Sequence, residues 1–218
     1  MYDSIEIYAG KNAARMIMES GLNEDMIAGI AGASGGPKFL ALAGFDNIIL
    51  SNWFRKRKKP LFFLGSSIGS WRGAAYACKN PVKAHNKLIE SYLSQKYSSK
   101  PSEKEVTSES LRIMNEYISD DDLEFILTKS IVHLGIIAAR CTGLSSFNSR
   151  AALAASFIPS ALLNIASRSM LLKLFNRTLF FDQRETPPFA FNFGEQFRVA
   201  LSPANFRDAL LASGSIPF

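Results

Sequence analysis

The sequence predicts an α/β fold in one domain, a parallel sheet covered by helices, and three observations predict it. Short apolar runs alternate with helix-patterned segments along the chain. Two glycine-rich stretches each follow such a run and open a helix. The 218 residues, 47% hydrophobic and 20% charged, suffice for one sizeable core and fall short of two comfortable ones. That composition also excludes intrinsic disorder, collagen and a disulfide scaffold.

The elements follow in chain order. Residues 4–10 alternate as a strand does, residues 11–21 have helical spacing with Gly21 as the stop, and residues 26–32 form a short apolar run ending in glycine. Residues 37–50 are helix-spaced and begin with Pro37 in the first turn, where a missing N–H costs nothing. The basic run Arg55 to Lys59 reads as a solvated loop beside a helix C-terminus. A buried strand over 59–65 is followed by helices over 67–78 and 82–95, and 98–106 is a polar connection containing Pro101. Residues 119–140 read as one long helix, with Leu123, Ile126, Leu127, Ile131 and Leu134 on one face. Ser119 is its expected N-cap with Asp122 at N3, so the acids Asp120, Asp121 and Asp122 suit a first turn and need no metal.

Residues 151–167 carry no charge but include Pro159, Asn164 and three serines, short of the ~20 apolar residues of a spanning helix. Residues 169–181 are basic and amphipathic. The expected organisation is therefore an α/β core over 1–97, a helical insertion over 98–178, and a return to the core over 179–218. In that last part, 187–193 is loop or edge, 197–202 a strand and 204–214 a helix.

Charge and cysteine usage narrow the setting. The 57 positions between Glu124 and Asp182 hold no acid, and Lys129, Arg140, Arg150, Arg168, Lys173 and Arg177 account for the whole net charge of +6. A basic stretch that is also apolar suggests peripheral contact with an anionic membrane rather than nucleic acid, the alternative being a buried helical layer with basic ends. Cys78 and Cys141 have no C-x-x-C spacing, which leaves no metal site or redox pair to expect. With Asp3, Glu6 and Glu19 interrupting the first twenty residues, a Sec-type signal is excluded and a cytoplasmic location expected. His85 and His133 sit in helical patterns and read as structural.

Chemistry concentrates in two Gly-x-Ser-x-Gly matches, at 32–36 and 65–69. Small residues two before and two after the serine permit the strained strand-to-helix turn that lifts a nucleophilic hydroxyl into solvent. The helix N-terminus behind it offers free N–H groups to a developing oxyanion. Ser67 is the better nucleophile: its strand is the stronger, Gly65 and Gly69 flank it at elbow spacing, and Ile68 supplies an ordinary N–H donor. The Ser34 segment suits another role. Gly35 and Gly36 free the backbone to approach a ligand, Pro37 starts the helix and Lys38 adds a cation, so it reads as an oxyanion or anion-binding loop. It is no Walker loop, because the Lys-Ser/Thr pair is absent.

The SGGPK of 34–38, the GSSIGSWR of 65–72 and the LLASGSIPF of 210–218, in this order, resemble the patatin-like phospholipases. The resemblance implies a three-layer α/β/α sandwich. It implies Ser67 as nucleophile, a loop of Gly35, Gly36 and Lys38 as oxyanion hole, and a Ser-Asp dyad without histidine or cofactor. The implied substrates are phospholipids or other fatty-acyl esters. The family's aspartate lies in an Asp-Gly motif, and no Asp-Gly dipeptide occurs in the 218 residues. The chain is therefore expected to be truncated before it, with an incomplete sheet. Two functions follow: a serine lipid acyl hydrolase whose base is absent from these residues, or a non-catalytic lipid- or membrane-binding protein on the same scaffold. Phosphate or nucleotide binding at 32–38 is a distant third.

Overall fold

A computed structural model describes residues 6–141, 175–185 and 196–215. Five strands form one sheet in the order β1 (Gly29–Gly32), β2 (Leu61–Ser66), β3 (Val132–Cys141), β4 (Phe175–Phe181) and β5 (Gln196–Ala200). All neighbours pair in parallel except β3 and β4, whose antiparallel register sets Ile136 opposite Phe180. The sheet is thus mostly parallel, and the α/β expectation holds.

Between β1 and β2 the chain makes a 3-10 helix (Gly36–Leu42), α2 (Ala43–Ile48) and a π turn (Ile49–Trp53). The expected helix is present there in three pitches, with Pro37 in the first turn. Between β2 and β3 come α3 (Ile68–Ala77), α4 (Pro81–Leu93), α5 (Glu103–Tyr117) and α6 (Asp120–Thr128); α7 (Phe206–Gly214) follows β5. Helix α1 (Lys11–Ser20) precedes the sheet and ends at Gly21 (φ +71), but none of its residues is buried.

The core lies over one face of the sheet. Leu61 and Phe63 of β2 and Val132, Leu134 and Ile136 of β3 point into it, against Trp71 and the alanines of α3, Leu88 of α4, Ile113 and Met114 of α5, and Phe206 and Leu210 of α7. Helix α3 is buried along its whole length, which explains its small residues: Ala74, Ala75 and Ala77 let it lie close on β2 and β3. Two polar bonds tie its outer neighbours on, Trp71 Nε1 to Leu210 O at 3.0 Å and Tyr117 Oη to Trp71 O at 3.2 Å.

Several expectations need correction. The long helix over 119–140 is two elements: α6 stops at Thr128, and β3 begins at Val132. Ser119 caps α6 in a capping box with Asp122, as expected. Beyond the break at Lys129 and Ser130, however, the run is apolar or small at successive positions from Leu134 to Ala139, on both faces of the strand, so it lacks the polar-apolar alternation of a one-faced strand and its apolar spacing mimics a helix. His133 accordingly lies on a strand, while His85 is on α4 as expected. The stretch 98–178 is not a wholly helical insertion, for it supplies β3 and the start of β4. The connection over 98–106 is shorter than expected, because Ser102 already caps α5 in a capping box with Glu105.

At the other end, the described part of the strand expected over 4–10, residues 6–10, forms no strand and is exposed. The run at 55–59 is solvated except for Arg57, which is buried and donates to the carbonyls of Glu24, Ile27, Lys59 and Pro60. The expectations for 151–167 and 187–193, and for Arg150, Arg168 and Lys173, lie outside the described residues.

Candidate active site

The C-terminal ends of β1 and β2 bring the two glycine-flanked serines together. Ser67 occupies the single residue between β2 and α3, at φ +56 and ψ −131. Among the described residues it is the one non-glycine with positive φ. The turn closes as Ser67 O accepts the N–H groups of Ser70 (2.9 Å) and Trp71 (3.4 Å). A backbone this strained is held by its surroundings. A Cβ on Gly65 would lie 2.5 Å from the Ser70 backbone, and one on Gly69 would lie 2.1 Å from Gly32 O, so only glycine at these places lets the strand, the turn and the β1 loop pack together.

The Ser34 segment takes another shape. Gly35 has φ 172 and ψ 3, Gly36 has φ +53, and the chain then winds into the 3-10 helix, Lys38 N donating to Gly35 O at 3.2 Å. The Ser34 hydroxyl lies 3.1 Å from Ser66 Oγ and 3.3 Å from Ser66 O, which fixes this loop beside the elbow. Lys38 is exposed, and its amide is already committed, so the lysine can add its side-chain charge but not its N–H. Ile68, the first residue of α3, has an N–H with no acceptor within the helix. Ser67, Gly35, Gly36, Pro37 and Lys38 thus gather at one edge of the sheet, with the positive end of α3 behind them.

Ser213, a residue that sequence reasoning quoted but gave no role, anchors the turn from the other side. Its hydroxyl donates to Ile137 O at 2.6 Å and receives Ser67 N–H at 2.8 Å, while Ser70 Oγ lies 3.0 Å away. One donor and two acceptor positions are all used, joining β3, the elbow and α7. The segment that carries it was the available signal.

Behind the site runs a buried ion pair. Asp46 of α2 accepts Arg72 Nε (2.9 Å), Arg72 Nη2 (2.7 Å) and Tyr76 Oη (2.7 Å), all on α3. Burial pushes the Tyr76 phenol far up, and burial also holds the His85 imidazole below its ordinary range, outweighing the opposing pull of Asp46, 3.7 Å from His85 Nε2. The other histidine lies elsewhere: His133 Nδ1 is 3.2 Å from Asp182, on the far half of β3. Burial alone would raise the Asp182 pKa, but bonds from His133 and Arg184 outweigh it and bring it down to about 2. None of the hydrogen bonds at Ser67 among the described residues comes from a carboxylate. Nor do these residues contain a cluster of three His, Cys, Asp or Glu side chains able to hold a metal.

A mostly parallel sheet whose second strand runs through a strained serine into a fully buried helix defines an α/β protein with the geometry that a nucleophile elbow requires. The chain belongs to the patatin-like phospholipase family, whose sequence model matches residues 30–218. That is a family of lipid acyl hydrolases acting on lipid ester substrates. No curated protein and no solved structure matches the chain.

Proposed function

We propose that the protein is a serine esterase of the phospholipase A type, with Ser67 as nucleophile and the N–H groups of Gly35, Gly36 and Ile68 as oxyanion donors. The carrying observation is the positive φ of Ser67 at the strand-to-helix turn. In this reading Ser67 Oγ attacks the acyl carbonyl, loses its proton to a base, and forms a tetrahedral oxyanion. Collapse breaks the ester C–O bond, the alcohol leaves with a proton, and water then hydrolyses the acyl-enzyme to the fatty acid. Pro37 starts the helix that carries the loop, and the Lys38 ammonium adds positive charge beside it.

The base expected of the family is an Asp-Gly aspartate, and the two buried aspartates among the described residues have other duties: Asp46 pairs with Arg72, and Asp182 with His133 and Arg184. The second reading is a lipid- or membrane-binding protein without turnover on the same scaffold.

A fluorophosphonate probe and a p-nitrophenyl ester separate the two. Labelling on Ser67 that Ser67→Ala abolishes, with turnover lost in the same variant, supports the enzyme. An adduct on Ser34 that survives Ser67→Ala overturns the assignment.

A further inference from the structure

The 3-10 helix, α2 and the π turn form one continuous helical segment that turns the usual pattern inside out. Its inner side is filled by Phe39, Asp46, Ile49 and Leu50, all buried. Its outer side is also apolar: Leu42, Phe45 and Ile48, spaced three residues apart, are 41%, 53% and 61% exposed. Single exposed apolar residues need no explanation, but three at helical spacing make a stripe. The stripe is continuous in sequence with the loop at Gly35 and Gly36, which Ser34 fixes beside Ser66.

The exposed charges along the stripe's own segment have one sign. From residue 36 to residue 60 the sole acid is Asp46, 1% exposed and committed to Arg72 and Tyr76. Exposed Lys38 stands at one end of the stripe, and exposed Arg55, Lys56 and Lys58 at the other. Lys59 pairs with Asp25 and Arg57 is buried against carbonyls, so neither belongs to this rim. The neighbouring helix α4 adds neutral Asn86, which accepts from Asn47 Nδ2 at 2.9 Å, exposed Lys83, and Glu90, which pairs with Lys87 at 3.6 Å. An apolar stripe with cations at both ends and no exposed carboxylate on its own segment is complementary to an anionic bilayer surface: side chains enter the acyl boundary while the cations meet lipid headgroups.

We propose that the outer face of residues 38–56 is where this protein docks on an anionic lipid surface, laying the mouth of the Ser67 site against the membrane. The proposal places the docking face at α2 and not in the basic stretch after Glu124, and it rests on the reading of Ser67 as a lipid-directed site. Docking here requires no spanning segment, and among the described residues no helix is long and apolar enough to cross a membrane.

Co-sedimentation with vesicles of phosphatidylcholine alone, or with about 30% phosphatidylserine, tests it. The protein should prefer the anionic vesicles and release them as salt is raised. Phe45→Ser with Ile48→Ser should weaken binding about tenfold or more, since both side chains lose their apolar burial. Arg55→Ser with Lys56→Ser should weaken binding to the anionic vesicles alone. Thermal unfolding checks that these variants are folded. Should the apolar pair fail to fold, hydrogen exchange on the unaltered protein replaces it, and amides of 41–50 should slow when vesicles are added. Wild-type affinity in the folded apolar variant, protection confined to other segments, or no vesicle binding at all overturns the docking face. Ser67→Ala keeps the two hypotheses apart, because it should bind vesicles as the wild type does. Stripe-dependent binding without ester turnover removes the hydrolase reading and leaves the docking face; turnover with stripe-independent binding does the reverse.

Discussion

The two Gly-x-Ser-x-Gly segments share a pattern and differ in what their second glycine is for. At 65–69 the glycines are packing requirements: added Cβ atoms would meet backbone at 2.5 and 2.1 Å, and the serine between them takes the strained angle. At 32–36 the first glycine is packed as tightly, a Cβ on Gly32 meeting Gly69 O at 2.8 Å, but the second is not: Gly36 takes the positive φ itself and an added Cβ would meet only Tyr92 Oη at 3.7 Å. The same motif thus makes a rigid elbow once and an open loop once. What separates them is the element that follows: a fully buried α-helix needs close approach, and an exposed 3-10 turn does not.

The strongest attempt to break this contrast exchanges the glycines. Gly69→Ala pushes a methyl into Gly32 O and should destabilise by more than about 4 kcal/mol, or prevent folding. Gly35→Ala has space, its Cβ meeting nothing nearer than Lys38 Cβ at 3.5 Å, so urea unfolding should find it destabilised far less than Gly69→Ala, by no more than about 2 kcal/mol. Equal losses in the two variants would remove the distinction.

Next in size is the ion pair that couples the helices behind the two segments. Asp46 follows the Ser34 loop and Arg72 follows the Ser67 elbow, and both are nearly inaccessible. Asp46→Ala leaves the Arg72 guanidinium buried and unpaired and should cost about 3–5 kcal/mol. Replacing both partners, by Asp46→Leu with Arg72→Met, should recover most of that loss. A double variant as unstable as Asp46→Ala would show that the pair does more than neutralise itself.

A smaller effect is expected at the hydroxyls. Ser213→Ala leaves Ser67 N–H without its partner and should cost about 1–3 kcal/mol. It should also slow fluorophosphonate labelling of Ser67, whereas Ser34→Ala, at an exposed hydroxyl, should stay within about 0.5 kcal/mol. Unchanged labelling in the Ser213 variant would reduce Ser213 to a structural tie.

The contrast also marks what the sequence made legible. The elbow was readable because its requirements are local: an apolar strand, glycines at fixed offsets, then small residues. The caps of α5 and α6 obey local rules too, although that of α5 passed unread behind Pro101. Strand β3 was not readable, because apolar and small residues on both its faces hide the polar-apolar alternation that distinguishes a strand, and its antiparallel partner β4 lies more than thirty residues further on. Ser213 escaped for a related reason. Its partners, Ser67, Ser70 and Ile137, come from two distant parts of the chain, and only the closed sheet makes them neighbours. Buried Arg57 looked like one more surface cation because its acceptors are carbonyls, which leave no mark in a sequence.

The finest test of the contrast replaces the strained residue itself. At φ +56 and ψ −131, an L-residue carries about 1–3 kcal/mol of strain, and glycine relieves it. Glycine also gains freedom in the unfolded chain, which returns roughly 0.5–1 kcal/mol of that relief. Ser67→Gly should therefore be more stable than wild type by about 1 kcal/mol, raising Tm by roughly 2–4 °C. Ser67→Ala keeps the Cβ and hence the strain, so its Tm should stay near that of the wild type and below that of the glycine variant. Both substitutions remove the hydroxyl and both should abolish labelling, so stability and reactivity separate: a residue retained in spite of strain is one whose hydroxyl is used. A glycine variant no more stable than the alanine variant would mean that the elbow relaxes around Ser67, and the argument from its backbone to nucleophilic duty would lose its footing.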